Sequence, residues 1–245
     1  MQLKADLHTH TIASGHAFST IKELAEGAKR KGLELIAITD HGITMPGGPH
    51  PYYFSQLVSL PGEIDGVKIL KGVEANIIDC NGSLDMPENL LKKLDLVLAS
   101  FHTDTGYQGK SIEENTRAMI SAIQNPYVHI ISHPGNPEFP VDLEKVVYAA
   151  RMSGKALEIN NNSLLSLSRP GSAPRCDKLA RLAAKTDTFI SINSDAHSCF
   201  SVGNCDLALQ LAEKAGIKAS RVLNTSVEFV EDYIKVLKKK LRRIC

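Results

Sequence analysis

The chain has 245 residues, 43% hydrophobic and 22% charged, enough for one large α/β core or two small ones. A formal net charge of +1 gives no global field for nucleic acid, an anionic membrane or a cationic partner, so any charge selectivity must be local. The opening MQLKADLHTH lacks the apolar core of a signal peptide, and no stretch approaches the roughly 20 apolar residues needed to cross a bilayer, so a soluble cytoplasmic protein is expected.

Seven short apolar or β-branched runs read as strands. The first, 4–8, ends in His8-Thr9-His10, and Thr20 with Glu23 then has capping-box spacing before LAEGAKRKG. The second, 33–39, ends in Asp40-His41. Residues 42–66 are rich in Gly and Pro and read as an insertion, with His50 in a position to overhang a site. The third run, 67–73, ends in Glu74, and the helical signal from there to residue 94 is weak. The fourth, 94–101, ends in His102, and Ser111 with Glu114 repeats the capping-box spacing. The fifth, 128–132, ends in His133, whereas His129 near its start is expected to serve structure at the opposite end. The sixth, 156–159, ends in Asn160, Asn161 and Asn162, and the seventh, 189–193, leads into Asp195-Ala196-His197. Val230, Ile234, Leu237, Leu241 and Ile244 recur at helical spacing, so the basic tail is expected to be a last packed helix with lysines on its wet face, ahead of nucleic-acid binding.

Alternating β and α segments predict parallel strands, and continuous runs such as LIAIT and VHIIS predict burial on both faces. An open sheet gathers ligands mainly at its switch point, but here polar ligand chemistry follows nearly every strand. That favours a closed barrel whose strand ends converge on one rim.

Side chains two apart on an extended chain share a face, so His8 and His10 can reach one cation, and Asp195 with His197 repeats the geometry. Asp6 has the same parity and is expected to brace them. Seven of the nine histidines stand at strand ends or in adjoining loops, which core packing does not explain, because buried imidazoles need polar partners. The five cysteines, Cys80, Cys176, Cys199, Cys205 and Cys245, show no CxxC spacing and read as reduced thiols; a metal role for Cys199 and Cys205 is the minor alternative.

DLHTHT at 6–11, ITDHG at 38–42, GVEAN at 72–76, FH at 101–102, SHPG at 132–135 and SDAH at 194–197 together resemble the PHP (polymerase and histidinol phosphatase) family. His16, the NNS at 161–163 and the SHPGNP at 132–137 resemble its YcdX-type branch of stand-alone phosphatases. The resemblance implies a distorted (β/α)7 TIM-like barrel, a single phosphoesterase domain over 1–245, and a trinuclear metal site. By motif, His8, His10, Glu74 and Asp195 would hold one ion, Glu74, His102 and His133 a second, and His16, His41 and His197 a third. Zinc is the expected metal, with manganese or iron as alternatives.

Three divalent ions against Glu74 and Asp195 leave a local charge of about +4, which suits a phosphate ester attacked by a metal-bound hydroxide. Glu74 and Asp195 are thus the core of the catalytic set. Asp40 is expected to orient a histidine or protonate the leaving group, with loop capping as the alternative. Arg169, in SRPGS, can clamp an oxyanion bidentately or simply be a solvated loop arginine. The expected partner is a small phosphorylated molecule. Nucleic acid enters only as a nucleotide substrate, no membrane is involved, and a homo-oligomer is possible. The runner-up is an amidohydrolase-type enzyme cleaving an amide, ester or lactone, because HxH also opens those barrels. They often bridge their metals with a modified lysine, and no lysine follows a comparable strand end here. A third class, a PHP module kept only for binding, is opposed by the complete ligand set.

Overall fold

The computed structural model describes residues 1–165 and 169–241. Its strands are β1 (Ala5–Thr9), β2 (Leu35–Ile38), β3 (Glu63–Ile64), β4 (Val67–Asn76), β5 (Leu96–Ser100), β6 (Ile130–Ile131), β7 (Ala156–Asn160) and β8 (Ile190–Asn193). Each of the seven expected runs overlaps one of them, although β1, β4 and β7 run one to three residues further and take in Thr9, Glu74 and Asn160. They pair in parallel in the order β1-β2-β4-β5-β6-β7-β8, and β3 folds back antiparallel on the start of β4. The circle closes at a weaker seam. A single parallel bridge joins Thr9 to Ala196, and Leu7 N–H donates to the Asn193 side-chain oxygen at 3.0 Å. The architecture is the distorted seven-stranded α/β barrel that the motifs implied.

Burial explains why the runs are so uniformly apolar. Leu7, Leu35, Ala37, Leu96, Leu98 and Ile130 fill the lower interior, and Val230, Ile234 and Leu237 of helix Val227–Leu241 pack against them from below. The last helix therefore plugs the N-terminal mouth and leaves the C-terminal rim open. Ile244 and Cys245 lie outside the described residues. Both expected capping boxes form, Thr20 with Glu23 before Ile21–Arg30 and Ser111 with Glu114 before Ile112–Gln124. Each satisfies two otherwise unpaired backbone N–H groups.

The stretches without a clear sequence signal are short excursions. Between β2 and β3, His50 caps helix Pro51–Gln56, its Nδ1 accepting from Tyr52 N–H at 3.2 Å. It stacks on Tyr52, and it is Tyr53 from this helix that turns to the rim. After β4, a bridge pairs Ile77 with Leu84, and only the one-turn helix Glu88–Leu91 precedes β5. No helix among the described residues is long and apolar enough to cross a membrane.

His129 serves the lower end. Its Nδ1 accepts Val97 N–H at 3.1 Å, and burial, reinforced by Lys155 and Lys238, pushes its pKa down to about 3. The folded ring stays neutral while the unfolded chain takes up a proton below about 6.5, so the unfolded state binds more protons between those values. This residue's contribution is fully present above pH 6.5 and should weaken by up to about 1.4 kcal/mol per pH unit as pH falls toward 3. His129→Asn keeps an acceptor near Nδ1 and removes the titration. Denaturant melts of both proteins between pH 7 and 4 should converge with acid; a pH-independent difference would refute the assignment.

Candidate metal centre

The rim brings the strand-end residues together around Glu74. Its Oε2 lies 3.0 Å from His41 Nδ1, 3.2 Å from His8 Nε2, 3.5 Å from His10 Nε2 and 3.6 Å from His102 Nε2. Its Oε1 lies 2.8 Å from His133 Nε2 and accepts from Ser100 Oγ at 2.9 Å. Asp195 Oδ1 forms a second focus, 3.2 Å from His10 Nε2, 3.5 Å from His8 Nε2 and 3.6 Å from His197 Nδ1. His16 is exposed at the edge, its ring 5.0 Å from that of His41 and 4.9 Å from that of His197. Both His133 (φ 32°) and Asp195 (φ 56°) occupy the left-handed backbone region, a strain that persists only where the surroundings enforce it.

A backing layer aims several of these rings. His102 Nδ1 donates to Asn76 Oδ1 at 2.7 Å, and Asn76 is fixed by Asp85, which accepts its Nδ2 at 2.7 Å and its N–H at 2.9 Å. Gly42 is required here, since any Cβ would collide with the Asp85 carboxylate. His10 Nδ1 lies 3.2 Å from Ser14 Oγ, which donates to Asp40 at 2.6 Å. Asp40 also accepts from Thr11 N–H, Thr11 Oγ1 and the Tyr53 hydroxyl, so its carboxylate is engaged by the loop that carries His16. His8 Nδ1 lies 2.7 Å from Glu158 Oε1. A ring held through Nδ1 in this way presents Nε2, which is how ligating imidazoles are usually braced.

The inner face, by contrast, is unsatisfied. Both nitrogens of His41, Glu74 Oε2, His102 Nε2 and Asp195 Oδ1 are buried without a hydrogen bond among the described residues. Such groups cost free energy unless something else meets them. They approach one another at 3.0–3.6 Å without hydrogen-bond geometry, the pattern expected of lone pairs converging on cations. Three overlapping sets, His8-His10-Glu74, His41-Glu74-His102 and His10-His41-His197, place their donor atoms within 4.8 Å of one another. The residues present therefore fit divalent metal ions.

Electrostatics agree. Burial opposes charge on Glu74 and Asp195, yet His8 and, respectively, His102 and Arg169 hold both well below the usual carboxylate range. Burial also opposes charge on His8, but Glu74, Glu158 and Asp195 together raise it well above an ordinary histidine. Burial pushes His10 and His102 well below, which leaves them in the neutral form that ligates.

Arg169 is mostly buried and places NH1 and NH2 each 3.0 Å from Asp195 Oδ2, with NH1 also 3.2 Å from Ser163 Oγ. With Asn162, His16, His41, His102 and His197 it lines a cavity of about 470 Å³ above the cluster, within the usual size for a small-molecule site.

Asp6 does not brace the imidazoles. A register irregularity between Asp6 and Thr9 breaks the shared parity, so Asp6 acts on the ligand strands through their backbone: it accepts from the N–H of His8 at 3.4 Å, of Ser194 at 3.2 Å and of Gly203 at 2.9 Å, pinning the loop after β8. Cys199 and Cys205 join none of the ligand sets; Cys205 is buried against Ile192. Glu158, Ser14 and the Asn76–Asp85 pair escaped the sequence reading. Glu158 alone left a signal, as the one charged residue inside the apolar strand ALEIN.

Residues 6–239 match the family model described as the PHP domain. The chain is 52% identical over 241 residues to a protein of Caldanaerobacter subterraneus subsp. tengcongensis named a probable phosphatase, covering 98% of this chain and 94% of that one. It is 50% identical over 243 residues to one so named from Acetivibrio thermocellus, with 99% and 100% covered. The structure of a histidinol phosphate phosphatase from Lactococcus lactis, complexed with zinc, L-histidinol and phosphate, matches with a TM-score of 0.64 at 22% identity, covering 88% of this chain and 94% of that one. At that identity the likeness is one of fold.

Proposed function

The chain belongs to the PHP domain family, and from that premise we propose that it is a metal-dependent phosphoesterase acting on small phosphomonoesters in the cytoplasm. The observation that carries this reading is the set of buried, unpartnered donor atoms beneath a cavity that also holds Arg169. Bound there, divalent ions would neutralise phosphate charge and bring the pKa of a water toward roughly 7.

We assign His8, His10, Glu74 and Asp195 to one ion, Glu74, His102 and His133 to a second, and His16, His41 and His197 to a third, with zinc as the expected metal and manganese or iron as alternatives. Glu74 can serve two ions because its oxygens face different histidines. Arg169 is assigned to the phosphate: its guanidinium has donors beyond those on Asp195 and lies on the cavity wall. Asn162 lines the same wall and can contact the leaving group. Asp40, surrounded by donors from its own loop and Tyr53, is assigned to positioning Ser14 and through it His10, not to proton transfer. The amidohydrolase alternative gains no support, since among the described residues no lysine lines the cavity.

Metal stripping tests the reading. Gently purified protein should contain close to three transition-metal ions per chain, and a chelator should abolish hydrolysis of p-nitrophenyl phosphate until zinc or manganese is restored. Full activity after stripping would overturn the reading, and full activity with one ion per chain would overturn the trinuclear assignment.

A further inference from the structure

We propose that Glu158 is a positioning residue that couples two of the ligand groups, fixing His8 with its proton on Nδ1 and holding the backbone of His133 in its left-handed turn. The side chain is fully enclosed at the foot of the rim, at 1% exposure. Four donors surround it: His8 Nδ1 at 2.7 Å and Asn193 Nδ2 at 2.8 Å on Oε1, His133 N–H at 2.8 Å and Asn160 Nδ2 at 3.0 Å on Oε2. A carboxylate among four donors can only accept, so the proton of His8 is on Nδ1 and its Nε2 lone pair faces Glu74 and His10.

The same carboxylate acts on a second ligand through a different bond. His133 is one residue past its strand run, at φ 32°, where an L-residue is strained and needs outside support. Glu158 supplies it by accepting the His133 N–H, which keeps Nε2 aimed at Glu74 Oε1. Rigidity comes from the amides behind. Asn193 Oδ1 accepts from Leu7 N–H and from Asn224 Nδ2 at 2.9 Å, while Asn160 Oδ1 accepts from Ser163 N–H at 2.9 Å and its Nδ2 reaches Asp195 Oδ2 at 3.2 Å. Glu158 thus ties β1, β7 and β8 together at the point where the barrel seam is weakest, and the ring orientations follow from that tie.

Glu158→Gln keeps the shape but can accept at one end only, leaving its amide N–H groups facing two donors. Zn²⁺ titrated against a chromophoric chelator should then bind about 10- to 100-fold more weakly. The kcat for p-nitrophenyl phosphate should fall by a similar factor with KM changed less than about twofold, because the cavity wall is untouched. Glu158→Asp, which retains the charge, should recover part of both. Nitrogen-detected NMR of zinc-loaded wild-type protein should show His8 protonated at Nδ1, and at saturating zinc that proton should move upfield in the Gln variant, where no carboxylate accepts it. A folded Glu158→Gln protein with wild-type zinc affinity would overturn the proposal. So would a zinc-loaded wild-type His8 unprotonated at Nδ1, a measurement that decides even if the variant fails to fold. The kinetic arm rests on the phosphoesterase reading and the others do not: weakened zinc affinity with no ester hydrolysed by either protein would sustain the positioning role and sink the phosphoesterase.

Discussion

Glu74→Gln should cut phosphoesterase turnover by several orders of magnitude while leaving the barrel folded. Glu74 meets histidines with both of its oxygens, Oε2 toward His8, His10, His41 and His102 and Oε1 toward His133. An amide removes the charge that draws cations to both groups and turns an N–H₂ toward imidazole lone pairs, so the cluster can satisfy itself by hydrogen bonds without ions. Two consequences separate this from simple damage. The metal-free variant should melt at or above the temperature of metal-free wild type, because buried unpartnered atoms have been satisfied. The rise in Tm that zinc gives wild type, which follows from binding only the native state, should disappear. Near-normal turnover, or an undiminished Tm rise with zinc, would show that Glu74 does not bridge.

Asp195→Asn should be nearly as severe, for a reason its backbone makes clean. Asp195 sits at φ 56°, and after glycine, asparagine is among the residues that best tolerate that region, so the substitution tests charge and not strain. Asp195 Oδ1 lies against His8, His10 and His197, and Oδ2 holds Arg169. Loss of the carboxylate should weaken zinc binding and lower kcat together. Arg169→Ala, by contrast, should chiefly raise KM for anionic substrates with metal content unchanged. Steady-state kinetics beside elemental analysis of the two variants makes the comparison. Metal loss in Arg169→Ala, or full metal content with normal kcat in Asp195→Asn, would reverse the assignment of these two residues.

The sequence by itself determined the seven strands, their parallel sense, both capping boxes and the rim at which the chemistry gathers. These depend on local rules: apolar runs buried on both faces, caps three residues apart, polar residues placed just after strands. Tertiary structure decided what local period cannot carry. The register irregularity between Asp6 and Thr9 turned Asp6 away from the imidazoles it was expected to brace, because parity holds only along an unbroken ladder. Which residue backs which histidine was equally hidden. Asn76 reaches His102 across 26 positions, Glu158 reaches His8 across 150, and Asp85 comes from a short bridged turn without a sequence signature. Tyr53, from the Gly- and Pro-rich insertion, meets Asp40 only because that excursion folds back over the rim. Closing a barrel brings the first and last strands side by side, so partners for a buried polar group are chosen by the seam and the strand order, and those exist only once the chain has closed.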